Sequence, residues 1–380
     1  MAQVGGSHGG SHGGSHGGSH GGSHGGSHGG SHGGSHGEPH AHSPGSPLMS
    51  EALSVTHDAL VGHWDGVPKV GDIGKPRDFK RLAYLSSPRR MQLLMADVSC
   101  HFQVVKNRTN VQLKFGDNVV CVITPPTQAL LRDQLVYVRN YADLRTDRIA
   151  EINIQATDIL SFFGAQFHLN GEHRRCTLEL LTVVQSLAIQ LEMVAKHHCW
   201  LPRPTAMSPN IQPMVQTPDH STFPSGHATE SFAVATVLHR LSTGASAIEG
   251  LMEKSMPYRL AHRIAVNRTV AGLHFPVDSA AGAMLGCAIG EALYSIYIGG
   301  PVSAFTFGSD GYNLDPRGSD KLSRDFTLQS LGEYAAALAE NAPDEKAKVP
   351  RADLFKDFWD DASREFGNDG RAGKDEPEDR

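Results

Sequence analysis

Three segments, far apart in the chain, carry residue types that together suit a tetrahedral oxyanion: Lys196 with Arg203-Pro204, then Pro224-Ser225-Gly226-His227, then Asn267-Arg268 with His274 and Asp278. Lys196, Arg203 and Arg268 supply cationic donors, and a guanidinium fork matches the edge of such an anion better than an isolated ammonium does. Ser225 and Gly226 fall where a Pro-rich loop enters a helix, so unpaired N–H groups and the positive end of the helix dipole can face an anion. Gly226 lets the backbone come close. His274 and Asp278 are four apart, which on a helix puts both on one face, the carboxylate fixing the imidazole tautomer and raising its basicity. Such a histidine can be a nucleophile or a ligand, and His227 is a second one able to exchange a proton near neutral pH. Singly, Lys196 or Arg203 reads as a solvated charge at a helix end and Pro-Ser-Gly-His as an ordinary capped start. Jointly they point to one pocket for a tetrahedral oxyanion.

The elements that must position these residues are helices. Arg174 to Cys199 carries Leu178, Leu181, Val184, Leu187, Leu191 and Val194 in a three-and-four rhythm without internal Gly or Pro, and stops near Pro202 and Pro204. A loop from Pro202 to Pro224 then leads into a helix from His227 to Leu241, ended near Gly244. Helical spacing returns over Pro257–Val270 and Val277–Tyr297, in two helices between Thr127 and Leu169, and over Ser330–Glu340 and Asp353–Phe366. Val111–Phe115 and Val119–Thr124 read as short strands. The expected fold is all-α, a helical bundle with at most a few short strands. His197 and His198 flank Lys196 on other helix faces. For them, and for His101, His168, His173, His239 and His262, supporting or surface roles are expected.

The chain as a whole sets limits. Its 380 residues with net charge −6 lack the dense basic surface that nucleic-acid binding needs. Gly-Gly-Ser-His repeats over residues 5–37 have no apolar residue to pack, and residues 1–48 are read as an engineered metal-affinity tag and linker; ten of the 22 histidines fall there. The remainder divides into an N-terminal extension, 49–125, a catalytic core, 126–300, a C-terminal extension, 301–366, and a charged tail, 367–380, too poor in apolar residues to fold. Five cysteines, Cys100, Cys121, Cys176, Cys199 and Cys287, are odd in number and contain no Cys-x-x-Cys, which suggests neither a disulfide framework nor a zinc site. Even the apolar stretch Ala280–Ile298 contains Glu291, so no membrane span is expected, and a reducing, cytoplasmic setting is.

At these motifs the chain resembles the superfamily of type 2 phosphatidic acid phosphatases, bacterial acid phosphatases and vanadium-dependent haloperoxidases, whose signature is Lys-x6-Arg-Pro, Pro-Ser-Gly-His and Ser-Arg-x5-His-x3-Asp. The one departure is Asn267 where the signature has Ser. The resemblance covers mainly residues 175–295. It implies that Lys196, Arg203, Ser225, Gly226 and Arg268 hold the oxygens of the anion while His274 contacts its central atom. In a phosphatase, His274 would become phosphorylated and His227 would protonate the leaving group. In a haloperoxidase, His274 would ligate vanadium, His227 would bond the apical oxygen, and Lys196 would help activate hydrogen peroxide toward a halide. His220, seven residues before His227, matches a histidine of the algal bromoperoxidases, and Met193 stands where the chloroperoxidases have tryptophan. On that ground the expected activity is a vanadate-dependent bromoperoxidase, a homodimer acting on hydrogen peroxide, halide and a small organic acceptor. A soluble phosphomonoesterase, with phosphate in the same pocket, is the alternative.

Overall fold

Helical spacing and Pro or Gly punctuation divide the chain into elements across the residues that the computed structural model describes, 47–61, 81–309, 312, 325–339 and 349–367. In chain order these are α1 (Pro47–Val61), α2 (Arg81–Tyr84), α3 (Ser87–Ser99), β1 (Phe102–Lys106), β2 (Val111–Phe115), β3 (Asn118–Thr124), α4 (Gln128–Tyr141), α5 (Arg145–Gln155) and α6 (Leu160–Phe167). There follow α7 (Arg175–Cys199), α8 (Pro204–Met207), α9 (Gly226–Thr243), α10 (Ala247–Met252), α11 (Met256–Val270), α12 (Pro276–Ile298), β4 (Phe305–Gly308), α13 (Leu328–Ala339) and α14 (Asp353–Arg364).

The centre of the fold is the pair α9 and α12, and glycine sets their separation. A Cβ on Gly282 would stand 2.4 Å from the carbonyl oxygen of Ser225, and one on Gly286 would stand 2.4 Å from that of Thr229. Gly290 lies just as tightly against the side chain of Thr236. Glycines four apart form one stripe along a helix, so α12 lays its backbone on α9, and nearly every residue of both is buried. Helices α7 and α11 pack on α9 and complete the bundle.

Strands β1, β2 and β3 form an antiparallel meander, and β4 adds in parallel to β3 with Cys121 opposite Phe305. Val111, Leu113 and Phe115 alternate inward along β2, as a half-buried strand requires. The sheet lies against α7 and α12. Two long-range contacts then hold α7 in place. Its N-terminus is capped by Glu365, which accepts from Cys176 N at 2.8 Å and Thr177 N at 2.9 Å. Glu179, a turn further on, forms a buried pair with Arg90 of α3 at 2.5 Å.

The helical architecture matches the expected class, with differences in detail. The Thr127–Leu169 stretch holds three helices rather than two. Strands β1 and β4 were not expected, and Val194 is 41% exposed instead of joining the apolar stripe of α7. Helix α1 begins at Pro47, inside the segment read as tag, while residues 1–46 and the tail beyond Gly367 lie outside the described residues. The five cysteines are free. Two stretches, Arg175–Met207 and Pro276–Ile298, are long and apolar enough to cross a membrane by length and composition, contrary to the expectation of none. Their most apolar windows are 61% and 83% buried inside the fold, so packing within the bundle accounts for much of that apolarity.

Candidate active site

Each signature segment sits where a helix begins or ends. Helix α7 stops at Trp200, whose left-handed backbone (φ 43°) lets its N–H bond back to Lys196 O at 2.9 Å. That stop leaves Lys196 in the last turn, and its ammonium donates to Pro224 O at 2.5 Å and Ser221 O at 3.3 Å. Of its three protons two are thereby used. The chain turns through Pro202 to Arg203, whose guanidinium donates from Nε to His220 O (3.1 Å) and from Nη1 to Leu273 O (3.1 Å). Nη1 also lies 3.4 Å from His274 Nε2, and Nη2 lies 3.3 Å from His220 Nδ1.

Ser225 is the N-cap of α9, but its hydroxyl caps nothing and is buried without a hydrogen-bond partner. Its N–H is held by Asp278 O at 2.9 Å, tying the start of α9 to the first turn of α12. Arg268, in the last turn of α11, is equally enclosed, with Nη1 buried and unpartnered. Lys196, Arg203 and Arg268 are 1%, 5% and 5% exposed, and among the described residues none forms an ion pair with a carboxylate. Burial lowers the pKa of all three, and for Arg268, where the neighbouring Arg203 charge adds to it, the value falls to about 10. Three buried cations this close are unfavourable until an anion joins them.

His274 and Asp278 meet, though not by sharing a helix face. His274 lies before α12 begins at Pro276, and the two are joined by the capping turn, in which Asp278 Oδ2 accepts from Phe275 N at 2.9 Å. The same oxygen accepts from Thr222 Oγ1 at 2.5 Å and lies 3.3 Å from His274 Nδ1. A carboxylate facing Nδ1 selects the tautomer that carries its proton there, placing the lone pair on Nε2, beside Arg203. The expectation that Asp278 makes this ring more basic does not hold. Burial, followed by the charges of Arg203, Lys196 and Arg268, pushes His274 well below the ordinary histidine value, outweighing one carboxylate. The result is a neutral imidazole, the form a nucleophile or ligand needs.

His227, in the first turn of α9, is half-buried; Nε2 donates to Gln155 O at 2.8 Å and Nδ1 faces Glu230 across 4.0 Å. His220 is half-buried against Arg203, and burial with the Lys196 and Arg203 charges lowers it to about 4. His197 is exposed.

Sequence reading passed over several participants. Thr222 orients Asp278. Asn267, the one departure from the signature, is wholly buried and accepts from Arg148 Nη1 at 2.9 Å while donating to Gln155 Oε1 at 2.9 Å. It thus braces the residue whose carbonyl holds His227. Glu192, one turn before Lys196, is buried beside Gly226. The spacing of Glu192 from Lys196 was the only hint available; nothing in the sequence marked Thr222 or Gln155.

The whole constellation falls within residues 178–299, the stretch that matches the PAP2 superfamily. It is also 34% identical, over 88 residues, to decaprenylphosphoryl-5-phosphoribose phosphatase of Mycobacterium tuberculosis, in strains CDC 1551 / Oshkosh and ATCC 25618 / H37Rv. The matched stretch is 23% of this chain and 44% of each relative, so the chain spans less than half the length of the curated relatives it matches. These relatives are phosphatases, and neither comparison carries a feature particular to vanadium haloperoxidases.

Proposed function

We propose that this protein is a phosphohydrolase that cleaves phosphomonoesters through a phosphohistidine on His274. The observation that carries the reading is the neutral His274, its Nδ1 on Asp278 and its Nε2 beside Arg203, among three buried cations that lack carboxylate partners. The third proton of Lys196, the unpartnered Nη1 of Arg268, the hydroxyl of Ser225 and the first N–H groups of α9 would hold the non-bridging oxygens. His274 Nε2 attacks phosphorus as the bond to the leaving oxygen breaks, and His227 gives that oxygen a proton. Water then attacks the phosphohistidine, losing a proton to His227, and the P–N bond breaks to release inorganic phosphate. Cations aimed at the equatorial oxygens stabilise the charge of both transition states. Because most of α12 is enclosed in the fold, we place the enzyme off the membrane.

A second reading rests on His220, which is held neutral against Arg203 inside the pocket. The cations and the Nε2 lone pair of His274 also fit vanadate, which when bound would supply a Lewis acid for oxidising halide with hydrogen peroxide. One preparation assayed both ways decides. The expected result is hydrolysis of p-nitrophenyl phosphate that vanadate inhibits and His274→Ala abolishes. Vanadate-dependent bromination of an activated acceptor, with no hydrolysis, would overturn it.

A further inference from the structure

Glu192 lies on α7 one turn before Lys196 and belongs to none of the three motifs. Its side chain is buried at 4% exposure, and Oε2 has no hydrogen-bond partner. Both carboxyl oxygens stand 2.6 Å from the point a Cβ on Gly226 would occupy. The carboxyl therefore rests on the first residue of α9, where only glycine leaves room for it.

The charged groups facing it come from three elements: Lys196 on α7, Arg203 from the loop before α8, and Glu230 on α9. Lys196 spends two of its protons on the carbonyls of Ser221 and Pro224. Glu230 is held by Gln185 Nε2 at 2.8 Å and in turn faces His227. An ionised carboxyl here would be buried without a donor and beside another carboxylate, whereas a carboxylic acid has a proton to offer. Burial and then Glu230 raise Glu192 to about 8, against the pull of Lys196 and Arg203.

We propose that Glu192 is a further ligand-binding residue of the oxyanion pocket, which as a carboxylic acid donates its O–H to a deprotonated oxygen of the bound tetrahedral anion. No bond is made or broken; the proton stays on Glu192. Once ionised, the same group sets a carboxylate against the anion, so binding is linked to one proton. This rests on the reading of the site as an oxyanion pocket and is independent of which reaction it performs.

Molybdate is a suitable probe, because it is an unreactive tetrahedral dianion from neutral to alkaline pH. In the wild-type protein its affinity should fall by about tenfold per pH unit above roughly pH 8, the slope for one linked proton. Calorimetry in two buffers of different ionisation enthalpy should then find close to one proton taken up per molybdate at pH 9. Glu192→Gln keeps a donor at every pH. It should bind molybdate within about threefold of wild type at pH 6.5 and lose that proton uptake. A carboxylic C=O infrared band should grow when molybdate is added to the wild type at pH 9, a signal no lysine can give, so the test survives if the variant does not fold. Proton uptake unchanged in Glu192→Gln, or no such band in the wild type, overturns the assignment. Failure of the wild type to bind molybdate at any pH would instead sink the oxyanion pocket itself.

Discussion

Asp278→Asn should separate activity from stability. The wild-type carboxylate is wholly buried, and one of its oxygens serves Thr222, Phe275 N and His274 at 2.5, 2.9 and 3.3 Å. Burial raises it to about 6 from an ordinary 3.8, and at about 1.4 kcal/mol per pH unit the folded state carries a cost of about 3 kcal/mol at pH 8. The sign follows from that raised value. The contribution of Asp278 to stability is fully present below its unfolded pKa and is lost as pH rises through about 6. Asparagine keeps the shape without this loss. The bonds to the ionised carboxylate are already contained in that net shift, so the variant should be no less stable than the wild type at pH 8. Catalysis moves the other way. In the proposed reaction the ring becomes cationic as Nε2 of His274 takes up the phosphoryl group, and the adjacent carboxylate stabilises that charge; loss of such an orienting partner costs about 10–100-fold. Steady-state hydrolysis of p-nitrophenyl phosphate should show kcat down by that factor with KM little changed, and melting curves should show a smaller difference between pH 5 and pH 8 than in the wild type. Wild-type kcat in the variant, or a fall confined to KM, would refute the role given to Asp278.

The glycine seam and the brace behind His227 can be tested separately. Gly282→Ala and Gly286→Ala should each destabilise the fold by about 1–3 kcal/mol through overpacking. Only the former drives a methyl into the carbonyl of Ser225, at the edge of the proposed anion pocket, so only it should lower kcat/KM by roughly 10–100-fold beyond the loss of folded protein; equal kinetic losses in both would dismiss the link. Asn267→Ala removes the bridge from Arg148 to Gln155. Because His227 acts on the leaving group, kcat should drop more for an alkyl phosphate than for p-nitrophenyl phosphate, and an identical drop for both would place Asn267 elsewhere in the mechanism.

Much of the site was legible because its parts announce themselves by type and local spacing. Lys196, Arg203, Ser225, Arg268 and His274 are each fixed by a helix end, and helix ends leave Pro, Gly and capping signals in the chain. Helix α7 was read to within a residue at its start, and β2 to the residue. What could not be read depends on contacts between distant segments. Strand β4 is four residues long and is a strand only because β3 lies beside it. Gln155 reaches His227 through a backbone carbonyl, which no residue type encodes. The basicity of His274 was misjudged because a four-residue spacing reveals one carboxylate and hides three cations brought in from elsewhere. The choice of reaction was carried by a loop histidine and a resemblance, and the phosphatase relatives weigh against it.

The seam between α9 and α12 also bears on when the entropy of ordering the pocket is spent. Ser225 N bonds to Asp278 O, and the Gly282 contact pins the same turn from the other side. The N–H groups proposed to hold an anion and the histidine proposed to attack phosphorus are thereby set at a fixed separation when the bundle folds. Little freedom is left to lose when a ligand arrives, and for a small ligand that loss is otherwise a large part of the unfavourable side of binding. On the proposed function, an inorganic anion of a few atoms, with no tail to supply extra contact area, should for that reason be captured by this pocket alone.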